Sequence, residues 1–265
     1  MSERFSLEQI REHWKQQALK HGQSASASWS EHPVIEAEIR EILKHVTDGD
    51  RVLDAGCANG YSTVQFASQK KIDIRGVDYI QEMITQAQAR LEHLADKLRG
   101  TVAFAVGDVT ALDDLSDTYD KVIVTRVLIN LKEWQYQEQA LRECARVLKP
   151  GGLLILADGT VQGWQKMNSF RREWGLPEIP MPVFNQYLDE DKLLQAGPPS
   201  LRLVEISNYL STYYVGTRVL KPLLIRALGA DIDVANTDME WNRWFAQLPP
   251  WGDYGTSKLF VFEKV

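Results

Sequence analysis

Three aspartates that each follow or end a short apolar run are the residues best placed to do chemistry in this chain. Asp54 ends the run Val52-Leu-Asp and precedes a turn bracketed by Gly56 and Gly60. Glycines at the carboxyl end of a strand let the backbone approach a ligand closely. Asp78 ends the next run and Asp108 follows a third. Because an acidic side chain at a strand end can accept both hydroxyl groups of a ribose, these residues predict a small-molecule site.

The spacing of the glycines narrows the class of ligand. It reads Gly-x-x-x-Gly, whereas dinucleotide enzymes carry Gly-x-Gly-x-x-Gly and phosphate loops end in Gly-Lys-Ser/Thr. The carboxylate of Asp54, just before the first glycine, is a poor neighbour for a pyrophosphate and suits a ligand with positive charge. The pattern therefore argues against a dehydrogenase.

Short apolar runs alternate with amphipathic stretches over the first half of the chain. The predicted strands are 51–55, 72–77, 101–106, 121–125 and 153–157, and the predicted helices between them are 61–68, 81–98 and 133–147. Strands separated by helices of this length predict right-handed βαβ units and a parallel sheet covered on both faces.

The two ends of the chain depart from this alternation. We expect an N-terminal helical lid over residues 1–46 and one main domain over 47–265. Late strands are predicted at 201–207 and 258–263, and they leave mostly helical cap insertions at about 159–200 and 208–256.

Composition excludes several classes of protein. The 265 residues carry a formal charge of −6 and two cysteines, which argues against binding through nucleic-acid phosphates, a disulfide scaffold and a structural zinc site. No apolar run approaches the ~20 residues of a membrane helix, and the first residues show no signal-peptide pattern. We expect a cytoplasmic protein that contacts neither membrane nor nucleic acid, with its oligomeric state left open.

The order and spacing of these motifs over about residues 47–158 resemble the class I S-adenosylmethionine (SAM)-dependent methyltransferases. Besides the three aspartates, the chain has Leu148-Lys-Pro-Gly-Gly before the fifth run. The resemblance implies a Rossmann-like, seven-stranded, mostly parallel sheet whose last strand is antiparallel. The layout is also similar to methyltransferases of polysaccharide and natural-product clusters.

The resemblance implies a role for each matching residue, with SAM as cofactor and S-adenosylhomocysteine (SAH) as its product. Asp54, Gly56 and Gly60 would shape the pocket for the methionine part, with Cys57 as a small filler. Asp78 would bind the ribose hydroxyls. The other implied contacts are those of Tyr79 and Met83 beside the adenine, Asp108 and Val109 on its amine and ring, and Thr125 near the sulfonium.

The sequence leaves the methyl acceptor open. An amine acceptor needs only to be neutral, whereas a hydroxyl usually needs a general base. All five histidines precede residue 94, so a base would come from the N-terminal segment, such as His13, or be a carboxylate such as Asp158. Asp158 could equally cap the next helix. Arg126, just after the fourth strand, is a third catalytic candidate.

Polar and aromatic residues of the two insertions are the candidate acceptor ligands, and no cluster with metal-ligand spacing is found. The candidates are Arg171, Asn185, Tyr187, Tyr213 and Tyr214. We predict methyl transfer to a hydroxyl of a small molecule, such as a sugar or a natural-product intermediate. The alternatives are an N-methyltransferase of a small metabolite and a non-catalytic SAM- or SAH-binding module.

Overall fold

The computed structural model describes residues 6–182 and 184–265, so residues 1–5 of the predicted lid lie outside the described part. Its centre is a seven-stranded sheet in the order β3-β2-β1-β4-β5-β7-β6. The strands are β1 (Arg51–Ala55), β2 (Asp73–Asp78), β3 (Thr101–Val106), β4 (Tyr119–Thr125), β5 (Leu148–Gly159), β6 (Leu201–Ser207) and β7 (Ser257–Lys264). The first five are parallel, and β7 is antiparallel to β5 and β6, which confirms the expected sheet.

Helices cover both faces of this sheet. They are α1 (Leu7–His21), α2 (His32–Ile42), α3 (Tyr61–Gln69), α4 (Gln81–Leu94), α5 (Trp134–Val147), α6 (Val161–Glu173), α7 (Glu190–Gln195), α8 (Ser211–Tyr214), α9 (Lys221–Leu228) and α10 (Glu240–Phe245). Successive side chains of a strand point to opposite faces. Val52 accordingly packs in the apolar cluster of α2 and α3, and Leu53 packs in the cluster of α5.

The fifth strand begins earlier than its apolar pattern indicates. The prediction started at residue 153, after the Pro-Gly-Gly turn, whereas β5 begins at Leu148. Leu148 pairs with Tyr119 and Leu153 pairs with Lys121, so the turn is an irregularity inside one strand. The residues on both sides of the turn pair with β4, and the local sequence does not indicate this pairing.

The two N-terminal helices have different surroundings. Ser6 and Gln9 form a reciprocal capping box at the start of α1. The apolar side of α2, with Ile35, Ile39 and Ile42, packs into the cluster that contains β1 and α3.

No helix of the described ranges is both long and apolar enough to cross a membrane.

Candidate functional site

A cavity of about 680 Å³ opens at the carboxyl ends of β1, β2, β3 and β4. Its volume lies within the roughly 300–1,000 Å³ of small-molecule sites. Every residue that we predicted to hold the cofactor lines it except Gly60; these are Asp54, Gly56, Cys57, Asp78, Tyr79, Met83, Asp108, Val109 and Thr125. The sheet thus brings together side chains that are far apart in sequence.

Two glycines shape the turn after β1 because a larger residue would clash at either position. Gly56 has a φ of +89°, and a Cβ there would lie 2.1 Å from a methyl carbon of Val127. Gly60 has a φ of +72° and precedes α3. A Cβ on Gly60 would lie 2.6 Å from the ring of Phe104. Gly60 therefore packs against Phe104 and does not line the cavity.

Asp78 lies at the end of β2 and holds the turns on either side of it. One of its carboxylate oxygens accepts the backbone N–H of Ala58 at 3.0 Å, and the other accepts that of Ile80 at 2.9 Å. Each oxygen keeps lone-pair capacity for another donor. Burial raises the pKa of Asp78 to about 6, although both backbone donors oppose that rise.

Asp54 is the second buried carboxylate of the cavity. Its side chain accepts the hydroxyl of Thr63 at 2.6 Å, and burial raises its pKa to about 6. Cys57 is also enclosed, and burial raises the pKa of its thiol well above the usual value. A thiol held neutral in this way is a packing residue and a poor nucleophile.

Two lining residues carry buried polar atoms without a partner among the described residues, namely Asn59 Oδ1 and Thr125 Oγ1. Unpaired buried acceptors are costly, and a polar ligand can supply the missing bonds. Thr125 was predicted, whereas sequence reasoning missed Asn59. Its place between the two glycines of the turn was the signal that could have found it.

The far end of the cavity is ordered by a local hydrogen-bonded turn. Asp108 accepts both the backbone N–H of Thr110, at 2.8 Å, and its hydroxyl, at 2.7 Å. Tyr79 is 37% exposed and Met83 is buried, so the two side chains offer a planar and a flexible apolar surface. This pairing suits a flat ring such as adenine.

Further parts of the cavity wall come from α1 and from the loop after β4. Leu7, Ile10 and Trp14 line the cavity at helical spacing. The indole N–H of Trp14 donates to Asn130 Oδ1 at 3.2 Å and joins the two elements. His13 does not line the cavity; its ring lies 5.8 Å from that of Phe184, and burial lowers its pKa.

Arg126 lines the cavity but its charge is already paired. Its guanidinium forms a salt bridge with the buried Glu38 of α2 and lies 5.3 Å from the ring of Trp29. Its backbone has a φ of +55°, which is strained for a residue with a Cβ. Arg126 therefore fixes the turn after β4 to α2 and is not a free cation.

Asp158 is completely buried and does not line the cavity. Its carboxylate accepts the backbone N–H groups of Gly159, at 3.0 Å, and of Ile129, at 3.3 Å. Burial raises its pKa to about 7. The alternative reading as a helix cap is wrong, because Thr160 caps α6. The contacts make Asp158 a residue that orients the loop after β4.

The five candidate acceptor residues do not reach the cavity. Arg171 donates to the carbonyl of Pro177 at 2.9 Å, and Tyr213 donates to Glu31 at 2.8 Å. Tyr214 is buried against Tyr213. Asn185 donates to the Tyr187 hydroxyl at 3.3 Å, and Tyr187 packs on Trp164. These contacts with other residues of the protein hold the five side chains away from the cavity, so they do not line the candidate cofactor site.

Comparisons with known proteins agree on the class of domain. A methyltransferase-domain family model matches residues 52–152. The methyltransferase GfsG of Streptomyces halstedii is 27% identical over 211 residues, which cover 78% of this chain and 73% of that protein. The O-methyltransferase rstn1 of Aspergillus nomiae is 32% identical over 121 residues, which cover 46% of this chain and 51% of its own length.

A solved structure extends the likeness over nearly the whole chain. A chain in the complex between the Haloferax volcanii Trm112 methyltransferase activator and a methyltransferase matches with a TM-score of 0.58. The match covers 95% of this chain and 96% of that one at 18% identity, and it therefore shows the fold. Together these matches confirm the predicted resemblance to class I SAM-dependent methyltransferases.

Proposed function

We propose that this chain, which contains a methyltransferase domain in the class I fold, transfers a methyl group from SAM to a hydroxyl group of a small molecule. The observation that carries the proposal is the placement of Asp54 and Asp78, two buried carboxylates at neighbouring strand ends, in the wall of one cavity. Beside them lie Asn59 and Thr125, each with a buried polar atom that has no partner in the part of the chain that the structure describes.

The cavity residues fit SAM in charge and in shape. When bound, SAM would supply a methyl group made electrophilic by its positively charged sulfur. The Asp78 carboxylate would accept the two ribose hydroxyls, while Asp54 and Asn59 would face the positively charged methionine end. Tyr79 and Met83 would flank the adenine, and Asp108 and Val109 would meet its edge.

The chain's main task is then to align the reacting atoms and to exclude water. The part of the wall formed by α1 and the loop after β4 combines apolar side chains with the charged side chains of Glu8, Arg11 and Arg126. A hydroxyl acceptor must also lose a proton. Of the lining carboxylates in the described residues, Glu8 on α1 is the one not assigned to the cofactor. We therefore infer that the carboxylate of Glu8 accepts the proton of the acceptor hydroxyl.

The choice of a hydroxyl acceptor is supported by a relative and by the character of this wall. The relative rstn1 is an O-methyltransferase. Leu7, Ile10, Trp14, Val127 and Leu131 give the wall an apolar and aromatic surface. Such a surface suits an apolar or aromatic compound that carries a hydroxyl group, such as a phenol.

The test is incubation of the protein with methyl-labelled SAM and two matched panels, one of phenols and alcohols and one of the corresponding amines. We expect label in products of the hydroxyl panel only. Label confined to the amine panel would make the chain an N-methyltransferase. Tight SAH binding without turnover of either panel would instead favour a non-catalytic binding module.

A further inference from the structure

A short segment between α1 and α2 lies directly against the glycine-rich turn of the cavity. We call residues 22–29 the strap. The side-chain amide of Asn59 donates to the carbonyl oxygens of Gly22, at 2.8 Å, and of Ser24, at 2.7 Å. One residue of the turn thus holds two carbonyl groups of the strap.

Arg90 of α4 holds the carbonyl group between them. Its guanidinium donates to the carbonyl oxygen of Gln23 and, at 3.1 Å, to that of Asn59 itself. It lies 5.2 Å from the ring of Tyr61. Arg90 does not line the cavity, so it grips the strap without a place in the candidate cofactor site.

The other end of the strap reaches the residues after β4. Ser28 lines the cavity, and the ring of Trp29 lies against the guanidinium of Arg126. Between the two ends, Ala27 packs in a small apolar cluster with Ile80 and Met83. The strap therefore contacts both the glycine-rich turn after β1 and the residues after the neighbouring strand β4.

The hydrogen bonds of Asn59 leave one atom of its side chain unused. Two carbonyl partners require the nitrogen of the amide to face the strap, so the oxygen must face away from it. That oxygen is buried and has no partner among the described residues, although Asn59 lines the cavity. A donor group of a bound ligand would complete the amide.

We propose that Asn59 is a positioning residue that couples cofactor binding to the placement of the strap. This inference rests on the proposed function. The nitrogen of the side-chain amide binds the strap, and its oxygen is available to the ammonium group of the cofactor. The same amide group therefore contacts both the strap and the bound cofactor. Coupling between two sites is reciprocal: a bound cofactor holds the strap in place, and a strap held in place strengthens cofactor binding.

Amide hydrogen exchange of the strap and calorimetric affinity for SAH together test this coupling in the full chain. In the wild type we expect saturating SAH to slow exchange over residues 22–29 by at least about fivefold, the lower end of typical couplings. Arg90→Met should speed exchange in the free strap and weaken SAH binding by a similar factor, although Arg90 lies outside the cavity. Asn59→Ala should remove the SAH-dependent slowing even at saturation.

Asn168→Ala is the matched control. Its side-chain amide likewise holds a loop through the backbone of Ile179, at 2.9 and 3.0 Å, but it does not line the cavity. We expect this variant to leave SAH affinity and strap exchange unchanged. A loss of SAH affinity in Asn168→Ala as large as that in Arg90→Met would overturn the specific role of Asn59.

The outcomes separate this inference from the proposed function. Absence of SAH binding by the wild type would contradict the proposed function itself. SAH binding with unchanged strap exchange would refute the coupling alone, as would normal SAH affinity in Arg90→Met with a faster-exchanging strap. If Asn59→Ala fails to fold, Arg90→Met decides the question.

Discussion

At the scale of single residues, the site depends on two carboxylates that the fold removes from water. Burial raises the pKa of both Asp54 and Asp78 to about 6. A buried carboxylate is unfavourable in its ionised form unless donors or a positive charge accompany it. Backbone N–H groups and the Thr63 hydroxyl supply part of that compensation. A cationic ligand with ribose hydroxyls would supply the rest.

Replacing Asp78 with alanine should weaken SAH binding by roughly tenfold to a hundredfold. Loss of hydrogen bonds to a charged group typically costs about 1.5–3 kcal/mol, which corresponds to that range. Calorimetry measures the affinity directly. Asp73→Ala is the control, because Asp73 begins the same strand at its opposite, exposed end. Equal affinities of the wild type and Asp78→Ala would contradict the ribose assignment.

SAH affinity should also depend on pH, in a direction fixed by the same two carboxylates. The ligand prefers their ionised forms, whereas the free site takes up protons below about pH 6. Affinity should therefore stay level above about pH 7 and fall below pH 6, by up to about tenfold per pH unit for one group. Calorimetry from pH 5 to pH 8 measures this, with Asp78→Asn expected to flatten the curve. Tighter binding on acidification would refute it.

The carboxylates and the place of Asn59 in the turn can be found in the sequence, whereas the contacts that Asn59 makes with the strap cannot. An aspartate at the end of an apolar run has a recognisable position, because the strand and the turn are both local features. The use of Asn59 depends on carbonyl groups of residues 22 and 24, which only the folded chain brings near. The sequence around Asn59 does not indicate these distant carbonyl groups as partners.

At the scale of elements, α2 joins the cavity wall to the core through charged residues. A helical segment was predicted here, but the burial of its Glu38 and Glu41 was not. Glu38 binds Arg126 and the Tyr209 hydroxyl, and Glu41 accepts the Ser207 hydroxyl at 2.6 Å. A glutamate on a helix is ordinarily solvent-exposed, so sequence alone does not reveal these buried pairs.

Removal of Glu38 should destabilise the protein strongly because it leaves the Arg126 charge buried and unpaired. Breaking a buried pair typically costs about 3–5 kcal/mol, which predicts a fall in Tm of roughly 6–20 °C for Glu38→Ala. Glu36→Ala is the control, since Glu36 is exposed on the same helix. Thermal unfolding compares them, and similar Tm values would contradict a structural role for the pair.

The glycine-rich turn permits a similar comparison at Gly56. Alanine there should cost more than the roughly 1–2 kcal/mol of backbone strain at positive φ, because its Cβ would meet Val127. Gly151→Ala has the strain alone, as its φ is +76° with nothing within 4 Å. Denaturant unfolding and SAH calorimetry should show the larger loss of both stability and affinity in Gly56→Ala. Equal losses would mean that the contact with Val127 is unimportant.

At the scale of the whole molecule, the sheet could be predicted and the packing of the cap could not. Alternating runs and helices have a local period, and parallel strands with crossover helices follow from it. The cap insertions contain the same polar and aromatic residue types as a ligand site. Tyr213 is satisfied by Glu31 and Arg171 by backbone carbonyls, so these side chains stabilise the cap instead. Amino-acid composition does not distinguish residues that bind a ligand from residues that pack the cap.

The central claim is that the cavity at the strand ends binds an adenosyl cofactor, and thermal unfolding with SAH tests it most directly. At about 100 times the dissociation constant, binding stabilises the folded state by roughly 2.7 kcal/mol. For a chain of this size we expect Tm to rise by about 5–10 °C with SAH and not with NADH. An unchanged Tm with SAH in ligand-free protein, or an equal rise with NADH, would contradict the claim.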